Sequence, residues 1–396
     1  MHSLEDVRVA DFTQLMAGGW STQKLGDMGA DIIKIEPPGG EVQRTYSYRG
    51  QLLDGQGIGY LAMNRNKRSV VVDLKTEAGH DAVEKIVAGA DVLVHNFRPG
   101  VMDRLGFSYE DVQAYNEDIV YTHISGYGSD GPYAERPGQD LIYQAVTGLT
   151  SYTGRAGDPP TPAGTVVVDE HTATLGAMHT LEALFHRERT GEGQRVEVSL
   201  FNAAIDMQCN EITFCLNTGE SLERGEKTHG HPYLYPPYGV YEAADGYVAI
   251  GMAPIERVAE VLDLPELTEY DTQQALFANR DHIHDRIEST TQEYNSEELV
   301  DILVNADIQA NASTPPGEIE DHPQAAHNDM VIAMDHPSDG EFKTTGTPAR
   351  LSESPHTTDR APPRLGEHTR EVLSEVGYES TDIDDLVAND VVEIAD

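Results

Sequence analysis

Through roughly the first 200 residues, short apolar runs alternate with stretches of helical spacing. The runs Val7–Phe12 (VRVADF), Asp31–Glu36 (DIIKIE), Val70–Leu74 (VVVDL), Asp91–His95 (DVLVH), Asp118–Ile124 (DIVYTHI) and Arg195–Leu200 (RVEVSL) have strand length. A glycine-containing loop and a helix near Ser21–Met28 separate the first two, which makes a βαβ unit. Repetition of that unit predicts an α/β chain with a doubly wound parallel sheet and ligands at the carboxyl ends of its strands. The segment Thr172–Arg187 places Leu175, Met178, Leu181 and Phe185 on one face and reads as a core-facing helix.

The 396 residues exceed what one core usually serves, and the pattern divides accordingly. Residues 1–215 read as a large domain, and the Pro-, Gly- and Tyr-dense segment 216–239 as an ordered linker. A smaller unit follows at 240–327, and residues 328–396 read as a linker with a C-terminal return to the large domain. Cys209 and Cys215 fall on one helical segment, too far apart along its axis for a disulfide. With no apolar run of membrane length and no leader-like start, a cytoplasmic protein is expected.

Charge narrows the function classes. The chain has 27 Lys+Arg against 68 Asp+Glu, a formal net charge of −41, and only 7 of the basic residues are lysine. Such a surface repels nucleic acid and anionic membranes, and any phosphorylated ligand would need a local cationic island. The run Asn64-Arg65-Asn66-Lys67-Arg68, followed by Lys75, Arg98 and Arg104, is one candidate; its members either meet a ligand or pair with carboxylates.

Few nucleotide or hydrolase motifs are present. GYGSDG at Gly126–Gly131 has the spacing of a dinucleotide loop, but Pro132 and Pro137 oppose the helix it would open. No Walker loop or GxSxG elbow occurs, and His229 and His231 lack a third ligand at metal spacing, so no metal is expected. Asp169 follows the apolar run TVVV and precedes a helix. It reads either as an N-cap or as a carboxylate kept ionised by the helix terminus, as a nucleophile must be.

These features combine in a resemblance. VRVADFTQLMAGGWSTQKLGDMGADIIKIEPPGG, NRNKRSVVVDLK, ADVLVHNFRPGVMDRLGF, ISGYGSDGPY, RTGEGQRVEVSL and PRLGEHTREVLSEVGY occur in the order found in class III coenzyme A transferases, which share a fold with α-methylacyl-CoA racemase. The resemblance implies a Rossmann-like large domain, a smaller α/β middle domain and an interlocked homodimer. It implies that Asp169 attacks an acyl-CoA thioester and passes through a mixed anhydride and an aspartyl-CoA thioester, with coenzyme A entering as substrate and no resident cofactor. Coenzyme A contacts map onto Val72, Asp73, Leu74, Lys75, Asn96, Phe97, Arg98, Arg104 and Arg136, and substrate contacts onto Arg44, Tyr48, Arg49 and Gln139. Pro37 and Met16 depart from formyl-CoA transferase, where an arginine and a glutamine stand. Gly138-Gln139-Asp140 replaces the Gly-His-Asp of the racemases, and glutamine is no acid-base group, so a transferase is favoured over a racemase, with a non-catalytic CoA-binding subunit as a second alternative. Succinyl-CoA is the expected donor, and mesaconate or a similar dicarboxylate the expected acceptor.

The acidic, lysine-poor composition also predicts salt adaptation, because at about 1 M salt the screening length falls to about 3 Å and self-repulsion is suppressed. Thermal unfolding in molar salt and in about 0.1 M salt should show a clear loss of stability in the dilute buffer; equal stability in both would exclude the adaptation.

Overall fold

Seven strands form the principal sheet of the computed structural model, which describes residues 1–53, 55–221, 223–336 and 340–395. They are β1 (Arg8–Asp11), β2 (Asp31–Glu36), β3 (Lys67–Val72), β4 (Val92–His95), β5 (Val120–Ser125), β6 (Gln194–Ser199) and β7 (Val392–Glu393). Their order is β7-β3-β2-β1-β4-β5-β6, parallel throughout except for β7 against β3. The series 3-2-1-4-5-6 is the doubly wound arrangement, and its switch point lies between β1 and β4.

Alternation along each strand builds the two core layers. Ala10, Ile33, Ile35, Val70, Val72 and Leu93 face one layer with α2 (Glu77–Ala88) and the C-terminal helices. Val9, Ile32, Val92, Val94, Val120 and Ile124 face the other, where α1 (Leu15–Asp27) and α4 (Val167–Thr190) pack. The shorter α3 (Asp140–Val146) precedes α4 in the chain.

Two sequence expectations change here. The third strand begins at Lys67 and not at Val70, because Lys67, Arg68 and Ser69 are strand residues whose polar groups find partners inside the protein. On α4 the buried face is the small one, with Thr172, Ala173, Gly176, Ala177, Thr180 and Ala183, while Met178 and Phe185 are 48% and 63% exposed. Close approach explains the choice: a Cβ at Gly176 would lie 2.7 Å from Ser21 Oγ and 2.9 Å from Ile124 Cδ1. Bulky side chains on that face would push α4 off the sheet.

The interior of the central strands is charged as well as apolar. Lys67 on β3 and Lys34 on β2 have no solvent exposure, nor has Asp11 on β1. Lys67 Nζ lies 3.0 Å from Asp11 and also donates to the Gly19 carbonyl, Thr22 and Asn64. Lys34 Nζ lies 2.9 Å from Glu41 and donates to the Thr13 carbonyl. Burial alone would raise the Asp11 carboxyl, but Lys67, Lys34 and the bonds from Thr13 outweigh it and hold it below its ordinary value.

By packing, the chain divides into a unit of residues 1–143, 166–207 and 323–396 and a second of residues 144–165 and 208–322. The second has its own three-stranded antiparallel sheet (Gly239–Glu242, Tyr247–Ile250, Ala310–Ala312) and a core that includes Tyr241, Val248, Ile283, Leu299 and Leu303. The segment read as a linker, 216–239, belongs to it. Cys209 and Cys215 are free thiols. No helix among the described residues is long and apolar enough to cross a membrane.

Candidate active site

The loops after β3 and β4 carry most of the predicted coenzyme A contacts. Val72 ends β3 in the core, Asp73 and Leu74 are half-buried, and Lys75 is exposed. The Asp73 carboxylate accepts the Lys75 N–H at 3.0 Å, a tight turn that leads into the Thr76-capped helix. After β4, Asn96 and Phe97 are half-buried, Arg98 is exposed, and the helix Val101–Leu105 presents an exposed Arg104. In the order β3-β2-β1-β4 the two loops stand three strand spacings apart, roughly 14 Å. Among the described residues, Lys75, Arg98 and Arg104 have no carboxylate partner. Arg136 is exposed as well, its guanidinium 3.5 Å from the centre of the Tyr133 ring.

The rest of the cationic island turns inward. Arg65 pairs with Asp27 at 2.6 Å, Lys67 with Asp11, and Arg68 with Asp31, Glu371 and Glu375. These three cations are buried and satisfied by carboxylates, so the ligand reading of residues 65–68 gives way to an internal one.

Arg44 is corrected in the same manner. Its guanidinium grips Glu36 through two bonds of 2.7 Å, reaches Gln56 and the Pro363 carbonyl, and lies 4.0 Å over the Tyr60 ring. Only 4% exposed and fully engaged, it has no donor left for a substrate carboxylate. Tyr48 and Arg49 are exposed, with the Tyr48 hydroxyl 4.0 Å from Met16 Sδ, and Gln139 is exposed at the start of α3. His229 and His231 do not converge on a common centre; they contact Asp281 at 2.9 Å and Glu211 at 2.8 Å.

Asp169 occupies the third position of α4, one turn later than an N-cap. The cap is supplied from elsewhere: Asp140 Oδ2 accepts the N–H groups of Val168 and Asp169 at 2.7 and 3.1 Å. This arrangement sets two carboxylates side by side at one helix terminus. Burial, then Asp140, then Glu170 push the Asp169 carboxyl from 3.8 up to about 7. The expected lowering by the helix terminus is thereby overturned: desolvation and two like charges win.

Tyr143, which the sequence reading did not single out, underlies this corner. It is 1% exposed and stands edge-on to Tyr127 at 5.0 Å. Burial, then Tyr127 and Asp169, push its phenol up to about 12 against the opposing Arg98, so Asp169 and Arg98 share its electrostatic surroundings. A Cβ at Gly126 or Gly138 would come within 2.3 or 2.1 Å of the Tyr143 hydroxyl. The bracketing glycines were the signal available in the sequence, since an unbranched backbone on both sides marks a close approach.

Against known proteins, the chain matches CoA-transferase family III over residues 4–369. The chain belongs to that family. It is 34% identical over 392 residues to a succinyl-CoA:mesaconate CoA-transferase of Haloarcula marismortui, covering 96% of this chain and 98% of the relative. A human succinyl-CoA:glutarate CoA-transferase is 29% identical over 398 residues, at 98% and 90% coverage. A CAIB/BAIF family protein from Brucella suis superposes with a TM-score of 0.85 at 30% identity, over 95% of this chain and 99% of that one. The protein is thus a class III CoA transferase.

A folded-state carboxyl that titrates at about 7 and not 3.8 binds its proton more tightly than in the unfolded chain, so its ionisation costs stability as pH rises between those values. Difference infrared spectra against Asp169→Asn should place the Asp169 carboxyl midpoint near 7. Asp140→Asn keeps an acceptor for the two N–H groups and removes a negative charge, and should move that midpoint to lower pH; an unmoved midpoint would show that Asp140 does not set it.

Proposed function

We propose that this class III CoA transferase moves coenzyme A from succinyl-CoA to mesaconate or a closely related dicarboxylate, with Asp169 as nucleophile. An Asp169 oxygen attacks the donor thioester carbon, the C–S bond breaks, and the CoA thiolate leaves a mixed anhydride. The thiolate then attacks the aspartyl carbon, releases the donor acid with its anhydride oxygen, and leaves an aspartyl-CoA thioester. An acceptor carboxylate reverses both steps, departs as the new acyl-CoA and restores the carboxylate. The thioester energy stays on the enzyme throughout, provided that water is excluded.

The observation that carries this reading is the Asp169 environment. A carboxyl raised to about 7 by burial and Asp140 is a more basic oxygen than an exposed aspartate, and a substantial fraction is ionised at neutral pH. The exposed cations Lys75, Arg98 and Arg104, without a carboxylate partner among the described residues, support a nucleotide laid along the carboxyl edge of the sheet. Arg49 and Tyr48, both exposed, are the groups assigned to a distal substrate carboxylate. The Haloarcula and human relatives named above support succinyl-CoA as donor, and the Haloarcula relative's name supports mesaconate as acceptor.

Turnover of succinyl-CoA and mesaconate, followed by hydroxylamine trapping and mass spectrometry, should place the modification on Asp169. Asp169→Ala should lose at least about a thousandfold in kcat. Modification at another residue, or solvent deuterium entering the α-position without an acceptor acid, would replace this mechanism with another. The same proposal includes a dimer in which a second copy covers the exposed Met178 and Phe185 face of α4. Sedimentation should give twice the 43.4 kDa chain mass, reduced by Phe185→Glu; a monomer would exclude it.

A further inference from the structure

The last backbone rung between β1 and β4 is the Phe12 N–H donating to the Val94 carbonyl at 2.9 Å. Two residues further on, the pairing resumes through a side chain. Gln14 N–H donates to Asn96 Oδ1 at 2.8 Å, and Asn96 Nδ2 donates to the Gln14 carbonyl at 2.6 Å. A carboxamide that accepts from the N–H and donates to the C=O of one residue reproduces a ladder rung, and only one orientation of the amide satisfies both.

The residue after this rung is strained. Leu15 has φ of 57°, a left-handed backbone that non-glycine residues rarely adopt, at the first position of α1. Its N–H donates to Glu41 Oε2 at 2.7 Å, while Glu41 Oε1 lies 2.9 Å from Lys34 Nζ and Lys34 donates to the Thr13 carbonyl. Thr13, Gln14 and Leu15 are therefore tied in succession by Lys34, Asn96 and Glu41, side chains from three separate segments. Gly18 allows the closeness: a Cβ there would lie 2.6 Å from Thr13 Cβ and 2.9 Å from Asn96 Cγ.

We propose that Asn96 and Glu41 are positioning residues, which lock the strained 13–16 loop and fasten it to the 96–98 loop so that both meet an acyl-CoA as one surface. For Asn96 this role stands in place of the direct coenzyme A contact expected from the resemblance, one N–H and one Oδ1 lone pair of its amide being engaged by Gln14. The inference rests on the reading that acyl-CoA lies along the carboxyl edge of the sheet. Strain persists only where its surroundings over-determine it, and here the restraint comes from the two loops that border the switch point.

Glycine at position 15 adopts the left-handed backbone without strain, which supplies the test. With succinyl-CoA and mesaconate, Asn96→Ala should lower kcat about tenfold, as expected when a strain of that order loses its restraint. Adding Leu15→Gly should recover most of the loss relative to Leu15→Gly alone. A loss confined to the KM for succinyl-CoA, with no recovery from Leu15→Gly, would make Asn96 a ligand and overturn the proposal. Asn96→Ser serves if the alanine variant does not fold. Amide hydrogen exchange in the substrate-free protein gives a readout independent of the chemistry: Leu15 N–H should exchange faster in Asn96→Ala and in Glu41→Gln, and unchanged exchange in both would overturn the coupling. A failure of Asp169 as nucleophile shows instead as persistent turnover in Asp169→Ala, and leaves the exchange result readable.

Discussion

An ammonium taken out of water carries a penalty of several kcal/mol that only close, well-bonded carboxylates repay. This protein meets that penalty at the centre of its principal sheet, where Lys34 and Lys67 are sealed against Asp11, Glu36 and Glu41. The strand edges, the β1–α1 loop and the segment from Glu36 to Arg44 all hang from these pairs. Breaking one partner of such a pair typically costs about 3–5 kcal/mol, because the other charge is left without water or counter-ion. The cluster therefore ties the start of β3 to the end of β1 and to the middle of β2, and the loop after β1 inherits that register.

Much of the fold was legible because its strands are buried on both faces. Asp31–Glu36 was readable to the residue, since an apolar run of that length between loops has few alternatives. The inward turn of Arg65, Lys67 and Arg68 was not readable, because a sequence shows that a cation needs an anion without saying whether protein or ligand supplies it. The face of α4 was misjudged for a related reason: hydrophobicity favours Met178 and Phe185, whereas the buried face from Thr172 to Ala183 is made of glycine, alanine and threonine, with Gly176 at the closest approach.

At the candidate site, Asp169 was visible from its place before a helix, but its electrostatics were not. The upward shift comes first from burial and then from Asp140, some thirty positions earlier, folding back to cap α4. Local rules about helix termini predict a depressed carboxyl; tertiary burial beside a second acid reverses it. Arg44 shows the complementary limit, since its position in a resembling motif suggested a substrate contact while Glu36 on the neighbouring strand had already claimed it.

The three exposed cations proposed to receive coenzyme A, on the loops after β3 and β4 and the short helix that follows, have a kinetic meaning in a chain of net charge −41. A polyanionic substrate approaching from bulk solution first meets the repulsion of the whole body, which extends over a Debye length, and only at contact the attraction of Lys75, Arg98 and Arg104. Concentrated salt erases the long-range repulsion far more than it weakens short, partly desolvated contacts. On the proposed acyl-CoA site, salinity would thus act on the encounter as a gatekeeper: the ions that screen the acidic shell also let an anion reach these exposed cations.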